Sequence, residues 1–462
     1  MMSGNQIHSA SFRDPSGFLF KRDGILYRQV NQTYRSHYDL LMGSGLYEQL
    51  VKKGALVSHQ ETDIAPLDPD AGYKVLQPEV IPFISYPYEW SFSMLKDAAL
   101  LTLEICNLSL QKGMVLKDAS AYNIQFLEGK PVLIDTLSFE RYDEGTPWVA
   151  YRQFCQHFLA PLALMALTDI RLGQLLRVHI DGIPLDLANE LLPGKVRWNL
   201  GLGTHITLHA QAQQKYAKAD SHKDDRKKVF SKNALFGLLD SLKNTVKSLQ
   251  WKPAGTEWAN YYEITNYSGS AFEEKKAVIR KFLDIAQPDS VWDLGANNGV
   301  FSRLASEKGI FTVAADIDPA AVESDYQNIQ SENAKNLLPL LLDLTNPSAA
   351  SGWNNEERDS FAGRGPAGLV MALALVHHLA ISNNVPLDRV AASFAAMGQW
   401  LIIEFVPKQD SQVQKLLSSR LDIFDNYTTE GFEESFQRYY HIQEKAAVAE
   451  SDRILYLMKV RR

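Results

Sequence analysis

Over the second half of the chain, short apolar runs alternate with longer polar stretches of helical spacing. Residues 290–294, 311–315, 338–342, 368–373 and 400–405 read as strands, each close to continuously apolar. Runs of that kind suit a parallel sheet covered on both faces. Helices are predicted over residues 300–307 and onward from Pro319. Strand–helix alternation implies right-handed crossovers and a doubly wound α/β sheet. The ending breaks the pattern. Residues 438–448 and 453–460 are two strand-like runs around a short polar turn, which predicts an antiparallel hairpin added to that sheet.

Further upstream, apolar residues nearly vanish between Gln211 and Lys232. There Lys215, Lys218, Lys223, Arg226, Lys227 and Lys228 mix with Asp220, Asp224 and Asp225, the composition of a solvated connector. Directly after it Leu235, Leu238, Leu239, Leu242, Val246 and Leu249 recur at the spacing of one helix face. The chain therefore divides into residues 1–213, a connector with its helix at 214–250, and 251–462. A length of 462 residues allows such a division, at roughly 150 residues per domain.

Composition narrows the function classes. With 45% hydrophobic and 22% charged residues, the chain has the apolar surface to fold. A formal net charge of -7 gives no global basic field, which argues against a nucleic-acid partner. Two cysteines, Cys106 and Cys155, make neither a disulfide framework nor a cysteine metal site. The first six residues are polar, and the longest apolar stretch, 158–167, is too short to span a bilayer. A cytoplasmic protein without a membrane segment is expected.

The sharpest chemical signal is the loop Asp293-Leu294-Gly295-Ala296-Asn297-Asn298-Gly299 between the first strand and its helix. In a doubly wound sheet this is the ligand crevice. Gly295 and Gly299 permit a sharp turn and close backbone approach, and Asn297 is the non-glycine type most tolerant of left-handed backbone. Asp316, ending the second strand, is placed to accept hydrogen bonds from both ribose hydroxyls of an adenosine. A nicotinamide dinucleotide requires the full Gly-x-Gly-x-x-Gly, which is missing. S-adenosylmethionine has no phosphate and needs a turn, a carboxylate near its amino group and an acid for its ribose. Asp293 and Asp316 supply those charges, and Asp343 follows the third strand where an adenine amino group would lie.

On these residues, together with Ala314-Ala315-Asp316-Ile317-Asp318-Pro319, Leu342-Asp343-Leu344 and the run from Met371 to Leu379, residues 258–462 resemble the class I S-adenosylmethionine-dependent methyltransferases. The resemblance implies a seven-stranded Rossmann-like sheet with a reversed last strand. It implies S-adenosyl-L-methionine as cofactor, held by Asp293, Gly295, Ala296, Asn297, Gly299, Asp316, Ile317, Asp343, Leu344 and Leu373. Asn297 departs from the usual central glycine. His377 and His378 after the fourth strand, and Glu404 ending the fifth, are the candidate catalytic residues, a base being needed where the acceptor is a hydroxyl. Packing roles are the plain alternative for all three. No Asn-Pro-Pro-Tyr element follows the fourth strand, and no cysteine lies beyond Cys155, so a planar amine acceptor and a covalent cysteine route are both disfavoured. A small-molecule or glycan acceptor is expected. The aromatic stretch from Trp258 to Tyr267 is a candidate lid.

The N-terminal part carries a quieter pattern. Asp118 and Asn123 keep an Asp-x-x-x-x-Asn spacing, and the predicted strand at 132–139 contains Asp135. A helix is predicted over 95–108 and a strand over 81–86. The arrangement resembles the catalytic lobe of protein-kinase-like phosphotransferases, which implies an α+β domain with Asp118 as base and Asn123 and Asp135 as Mg²⁺ ligands for ATP. Departures are plain: Leu116 and Lys117 precede Asp118, no glycine-rich loop precedes residues 25–30, and Arg28 takes the place of the phosphate-pairing Lys, with Glu48 as its expected partner. The full architecture also resembles bacterial methyltransferase-like proteins associated with host-specific nodulation in rhizobia.

Overall fold

A computed structural model describes residues 6–208, 230–253 and 269–461. Most of the 211–232 connector and all of the aromatic stretch 258–267 lie outside the described residues. Two compact units partition the chain: Met1–Lys252 with Ser351–Arg358, and Pro253–Ala350 with Asp359–Arg462.

The first unit opens with five antiparallel strands, β1 (Gln6–Ile7), β2 (Gly17–Arg22), β3 (Ile25–Asn31), β4 (His59–Thr62) and β5 (Gly72–Pro78), in the order β1-β2-β3-β5-β4. Asp23 and Gly24 close the β2–β3 hairpin with φ of 52° and 82°, the left-handed pair that a two-residue turn demands. The helix Phe92–Gln111 follows. Ser91 caps it by accepting from Met94 N at 3.4 Å, and Leu95, Ala98, Ala99, Leu103, Cys106 and Leu110 on it are buried. Four short strands come next: β6 (Met114–Leu116), β7 (Ile124–Leu127), β8 (Lys130–Leu133) and β9 (Phe139–Arg141), with β6 paired to β9 and β7 to β8. Two sequence expectations differ here. The strand over 132–139 stops at Leu133, because Asp135 turns the chain by accepting from Leu137 N at 3.3 Å. No strand forms over 81–86. Ser85 N instead donates to Gln125 Oε1 at 2.8 Å, and Gln125 Nε2 returns to Ser85 O at 2.9 Å, so a side-chain amide replaces the neighbouring strand. The amphipathic stretch after the connector is the helix Lys232–Ser248, with Leu235, Leu239, Leu242 and Val246 buried.

The second unit is one seven-stranded sheet of β10 (Ser290–Leu294), β11 (Phe311–Asp316), β12 (Leu337–Leu341), β13 (Ala367–Ala372), β14 (Gly398–Phe405), β15 (Tyr440–Ala447) and β16 (Ile454–Val460). Its order is β12-β11-β10-β13-β14-β16-β15. The first five strands of that order are parallel, and β16 runs antiparallel to both β14 and β15. Every residue of β13 is buried. Ile279, Phe282 and Leu283 of the helix Gly269–Ala286 share one core cluster with Val291, Leu369, Met371, Ile402, Leu455 and Leu457. Strand β15 alternates burial and leaves His441, Gln443 and Lys445 exposed, a charged, polar edge that resists pairing with another sheet. The chain runs outward from β10 through β11 to β12, then returns to β13 on the other side of β10. A crevice forms at such a reversal, beyond the carboxyl ends of the strands.

Candidate active site

The loop leaving β10 is built from committed backbone. Gly295 N and Ala296 N both donate to Ala315 O, at 2.8 and 3.0 Å, Asn297 N donates to Asp316 Oδ2 at 2.7 Å, and Gly299 N donates to Ala296 O at 3.0 Å. Gly295, Asn297 and Gly299 have φ of 79°, 50° and 74°. Each glycine answers a different demand. A Cβ on Gly295 would stand 3.3 Å from Leu375 Cδ1, at the crevice wall. A Cβ on Gly299 would stand 2.4 Å from Asp325 Oδ2, so that glycine serves close packing against the helix Pro319–Glu332 rather than a ligand.

Beneath the loop lies support that the sequence did not signal. Arg303 Nη1 donates to Asp325 Oδ1 at 2.8 Å and to Asn298 O at 3.0 Å, tying the loop to that helix. Ser302 Oγ donates to Asp293 Oδ2 at 2.6 Å. These partners are 5 to 22 residues apart and follow no spacing rule.

A crevice of about 350 Å³ opens above the strand ends, within the usual range of roughly 300–1,000 Å³ for small-molecule sites. Of the predicted residues, Gly295, Asn297, Asp316, Ile317, Asp343, Leu344, Leu373 and His378 line it. Asp293, Ala296, Gly299, His377 and Glu404 do not. Asp293 lies under the loop, where burial pushes its carboxyl up to about 7. His377 turns into the core at 1% exposure, with Nδ1 unpartnered, and burial holds its ring well below the usual imidazole value. Glu404 is fully buried. It accepts from Lys275 Nζ at 2.6 Å, with Arg453 Nη1 3.8 Å away, while Arg453 Nε donates to Asp410 Oδ2 at 2.7 Å. Glu404 is thereby a member of an internal charge network.

Asp316 is the best-placed acid. Besides Asn297 N, it accepts from Asp318 N at 2.9 Å on its other oxygen. The Ile317 N–H also donates to this carboxylate, so three of its roughly four acceptor sites are taken. Burial pushes its carboxyl up to about 6. Asp343 Oδ1 accepts from Thr345 N and Thr345 Oγ1 at 2.8 and 2.7 Å. Ala374, next to Leu373 in the wall, holds φ at 48°. His378 lies in the wall with its ring 4.2 Å from that of His377, and burial lowers it to about 4. The imidazole is therefore neutral at pH 7. Among the described residues, no Lys or Arg lines this crevice.

The wall chemistry discriminates between cofactors. Among the described residues a pyrophosphate would find no cation in the wall, and the N–H groups of Gly295, Ala296, Asn297 and Gly299 already have acceptors. An adenosine without phosphate fits better. Asp316 retains acceptor capacity toward a hydroxyl, and Ile317, Leu342, Leu344 and Leu373 offer apolar surface to a flat base.

In the first unit, Arg28 Nη1 donates to Asp135 Oδ1, and Ser138 Oγ donates to Asp135 Oδ2. Arg28 pairs with Asp135 instead of Glu48, which is exposed. Asp118 accepts from Ser120 N at 2.9 Å and from Gln153 Nε2 at 2.8 Å, and Asn123 Nδ2 donates to Ser138 Oγ at 3.2 Å. Among the described residues, no group of three or more His, Cys, Asp or Glu is arranged to hold a metal ion.

No family model matches the chain. Similar solved structures include WbdD, 15% identical with a TM-score of 0.31 over 45% of this chain and 43% of that one. Magnesium protoporphyrin IX methyltransferase from Synechocystis PCC 6803, solved with bound SAH, is 15% identical with a TM-score of 0.32, over 44% of this chain and 93% of that one. The N-methyltransferase NodS from Bradyrhizobium japonicum WM9 is 11% identical with a TM-score of 0.31, over 42% and 99%. Among curated proteins, the nodulation protein NoeA of Rhizobium meliloti (strain 1021) is 34% identical over 455 residues, 97% of this chain and 95% of that protein. Identity at that level along nearly the whole of both chains means that this protein belongs to the NoeA family of nodulation proteins.

Proposed function

We propose that residues 251–462 form a class I S-adenosylmethionine-dependent methyltransferase, with its cofactor seat in the crevice beyond β10, β11 and β13. One observation carries the reading: a glycine loop whose N–H groups are spent internally stands beside an acid, Asp316, with an acceptor site to spare, in a wall whose described residues include no Lys or Arg. When bound, the cofactor supplies a sulfonium methyl group open to in-line displacement. Gly295 and Asn297 hold the turn against the cofactor, Asp316 accepts from ribose hydroxyls, and Asp343 accepts from the adenine amino group. Ile317, Leu344 and Leu373 flank the base. Asp293, Ala296 and Gly299 act through the shape of the loop. The acceptor is a small molecule or glycan. Where it offers a hydroxyl, the neutral His378 imidazole takes the proton.

Calorimetry with S-adenosylhomocysteine tests this. One site is expected, weakened more than tenfold by Asp316→Ala; no binding to the unaltered protein sinks the reading.

Residues 1–213, joined through the connector and helix at 214–250, serve as a kinase-like accessory domain for acceptor binding or regulation in a cytoplasmic protein. The ion pair between Arg28 and Asp135 supports an accessory role, since it neutralises the acid that a metal would need. The second reading is an atypical phosphotransferase using Asp118, Asn123 and Asp135 with Mg-ATP. Burial raises the Asp118 carboxyl and the Asp135 charge adds to the rise, which favours this reading because the two acids are neighbours. A thermal-shift series with ATP and Mg²⁺ separates them. Stabilisation that disappears in Asp135→Ala supports phosphoryl transfer, and no shift at millimolar nucleotide supports the accessory role.

A further inference from the structure

The wall that carries His378 is a five-residue π-turn, His378–Ser382, continued by Asn383 and Asn384. Such a turn ends in carbonyls without partners of their own. The guanidinium of Arg420, about 40 residues further on, meets them. Arg420 Nη1 donates to Ile381 O and, at 3.4 Å, to Ser382 O, while Nη2 donates to Asn384 Oδ1 at 2.6 Å. The same guanidinium lies over the Phe424 ring at 4.9 Å. Arg420 follows the helix Ser411–Leu417, whose Leu416 is itself part of the crevice wall. A second clasp, Lys408 Nζ to both oxygens of Asp422 at 2.9 and 2.8 Å, holds the same loop without touching the turn.

We propose that Arg420 is a positioning residue that locks the His378–Ser382 turn, so that His378, Ser382 and Asn383 stand in the crevice wall. Arg420 does not itself line the crevice; it acts by joining two wall segments distant in sequence. A Lys would bring its three donors to a single point, whereas the planar fork of Arg spans three spread acceptors at once. His378 depends on this clasp for its enclosure. Its ring faces His377 at 4.2 Å, and its lowered titration arises from burial. His377, which faces it from the inner side, is also shifted by His378 and Arg453. Releasing the turn admits water to the ring. Assigning the crevice to S-adenosylmethionine rests on the methyltransferase reading; the clasp itself does not.

The test is the histidine titration of the full chain by NMR with ¹³C-labelled histidine, His378→Gln assigning the signal, for the unaltered protein, Arg420→Ala, Arg420→Lys and Lys408→Ala. His378 is expected near pH 4 in the unaltered protein and at least about one unit higher in Arg420→Ala, toward the ordinary value near 6.5. Arg420→Lys should fall between, and Lys408→Ala should leave it unmoved. General destabilisation lowers the melting temperature without moving the titration of the folded state, so both are recorded. An unmoved His378 in Arg420→Ala, or an equal rise in Lys408→Ala, overturns the proposal. Should Arg420→Ala fail to fold, Arg420→Lys decides by the same criterion. Calorimetry of the unaltered protein with S-adenosylhomocysteine reports separately on the methyltransferase reading.

Discussion

Positive φ occurs at Gly295, Asn297, Gly299 and Ala374 in and around the crevice wall, and substitutions separate the demands there. Gly295→Ala strains the turn by about 1–2 kcal/mol and presses on Leu375, whereas Gly299→Ala also drives a Cβ into the Asp325 carboxylate that Arg303 holds. Urea unfolding should rank Gly299→Ala as clearly the more damaging. Ala374→Gly should do the reverse and raise stability slightly, by up to about 1 kcal/mol, because alanine pays for its left-handed backbone there. Asn297 was legible in the sequence, since asparagine tolerates that conformation. Ala374 was not, because nothing in Leu373-Ala374-Leu375 marks it. Asp316 adds a pH dependence. Its carboxyl is raised by burial to about 6, so the folded protein binds the proton more tightly than the unfolded chain. Its contribution to stability is greatest below the ordinary carboxylate range and declines as pH rises from about 4 to 6. Ribose hydroxyls need the ionised form, so the sign for the ligand is opposite. S-adenosylhomocysteine affinity should fall by up to about tenfold per unit as pH drops below 6; a profile that stays flat from pH 7.5 to 5 contradicts the assigned role.

Among the elements, the parallel strands were readable because burial on both faces leaves unbroken apolar runs, and the terminal hairpin because its polar turn interrupts them. What ties the elements together was not readable. Lys275 on the helix Gly269–Ala286 reaches Glu404 on β14 across 129 residues, and Arg453 continues the network to Asp410. Removing one member of a fully buried pair leaves an uncompensated charge and costs about 3–5 kcal/mol. Lys275→Met should therefore destabilise strongly in urea. Lys281→Ala, which breaks the exposed pair with Glu444 at 2.7 Å, should cost no more than about 1 kcal/mol. Equal losses would mean that the Lys275–Glu404 pair is not the internal tie that its burial indicates. The same network explains why Glu404, an acid at a strand end, looks catalytic in the sequence yet never reaches the crevice. The strand expected over 81–86 failed for a related reason: Gln125, a single side chain, satisfies the Ser85 backbone that a strand would have paired.

For the molecule as a whole, composition and alternation foretold an α/β unit with a glycine loop at its crevice, and the kinase-like spacing pointed to Asp118, Asn123 and Asp135. The partner of Arg28 could not be read, because its pairing with Asp135 spans 107 residues. Among the described residues, no helix is long and apolar enough to cross a membrane. Cys106 and Cys155 are buried thiols, both pushed up to about 12. Ellman's reagent should find neither in the native protein and both in urea; rapid native labelling would show that one of these sites opens. The most direct test of the central claim is a crystal structure grown with excess S-adenosylhomocysteine. The account predicts density for the nucleoside beyond β10 and β11, with ribose hydroxyls hydrogen-bonded to Asp316. A crevice that stays empty at saturating ligand, or a nucleoside bound away from Asp316, would contradict it.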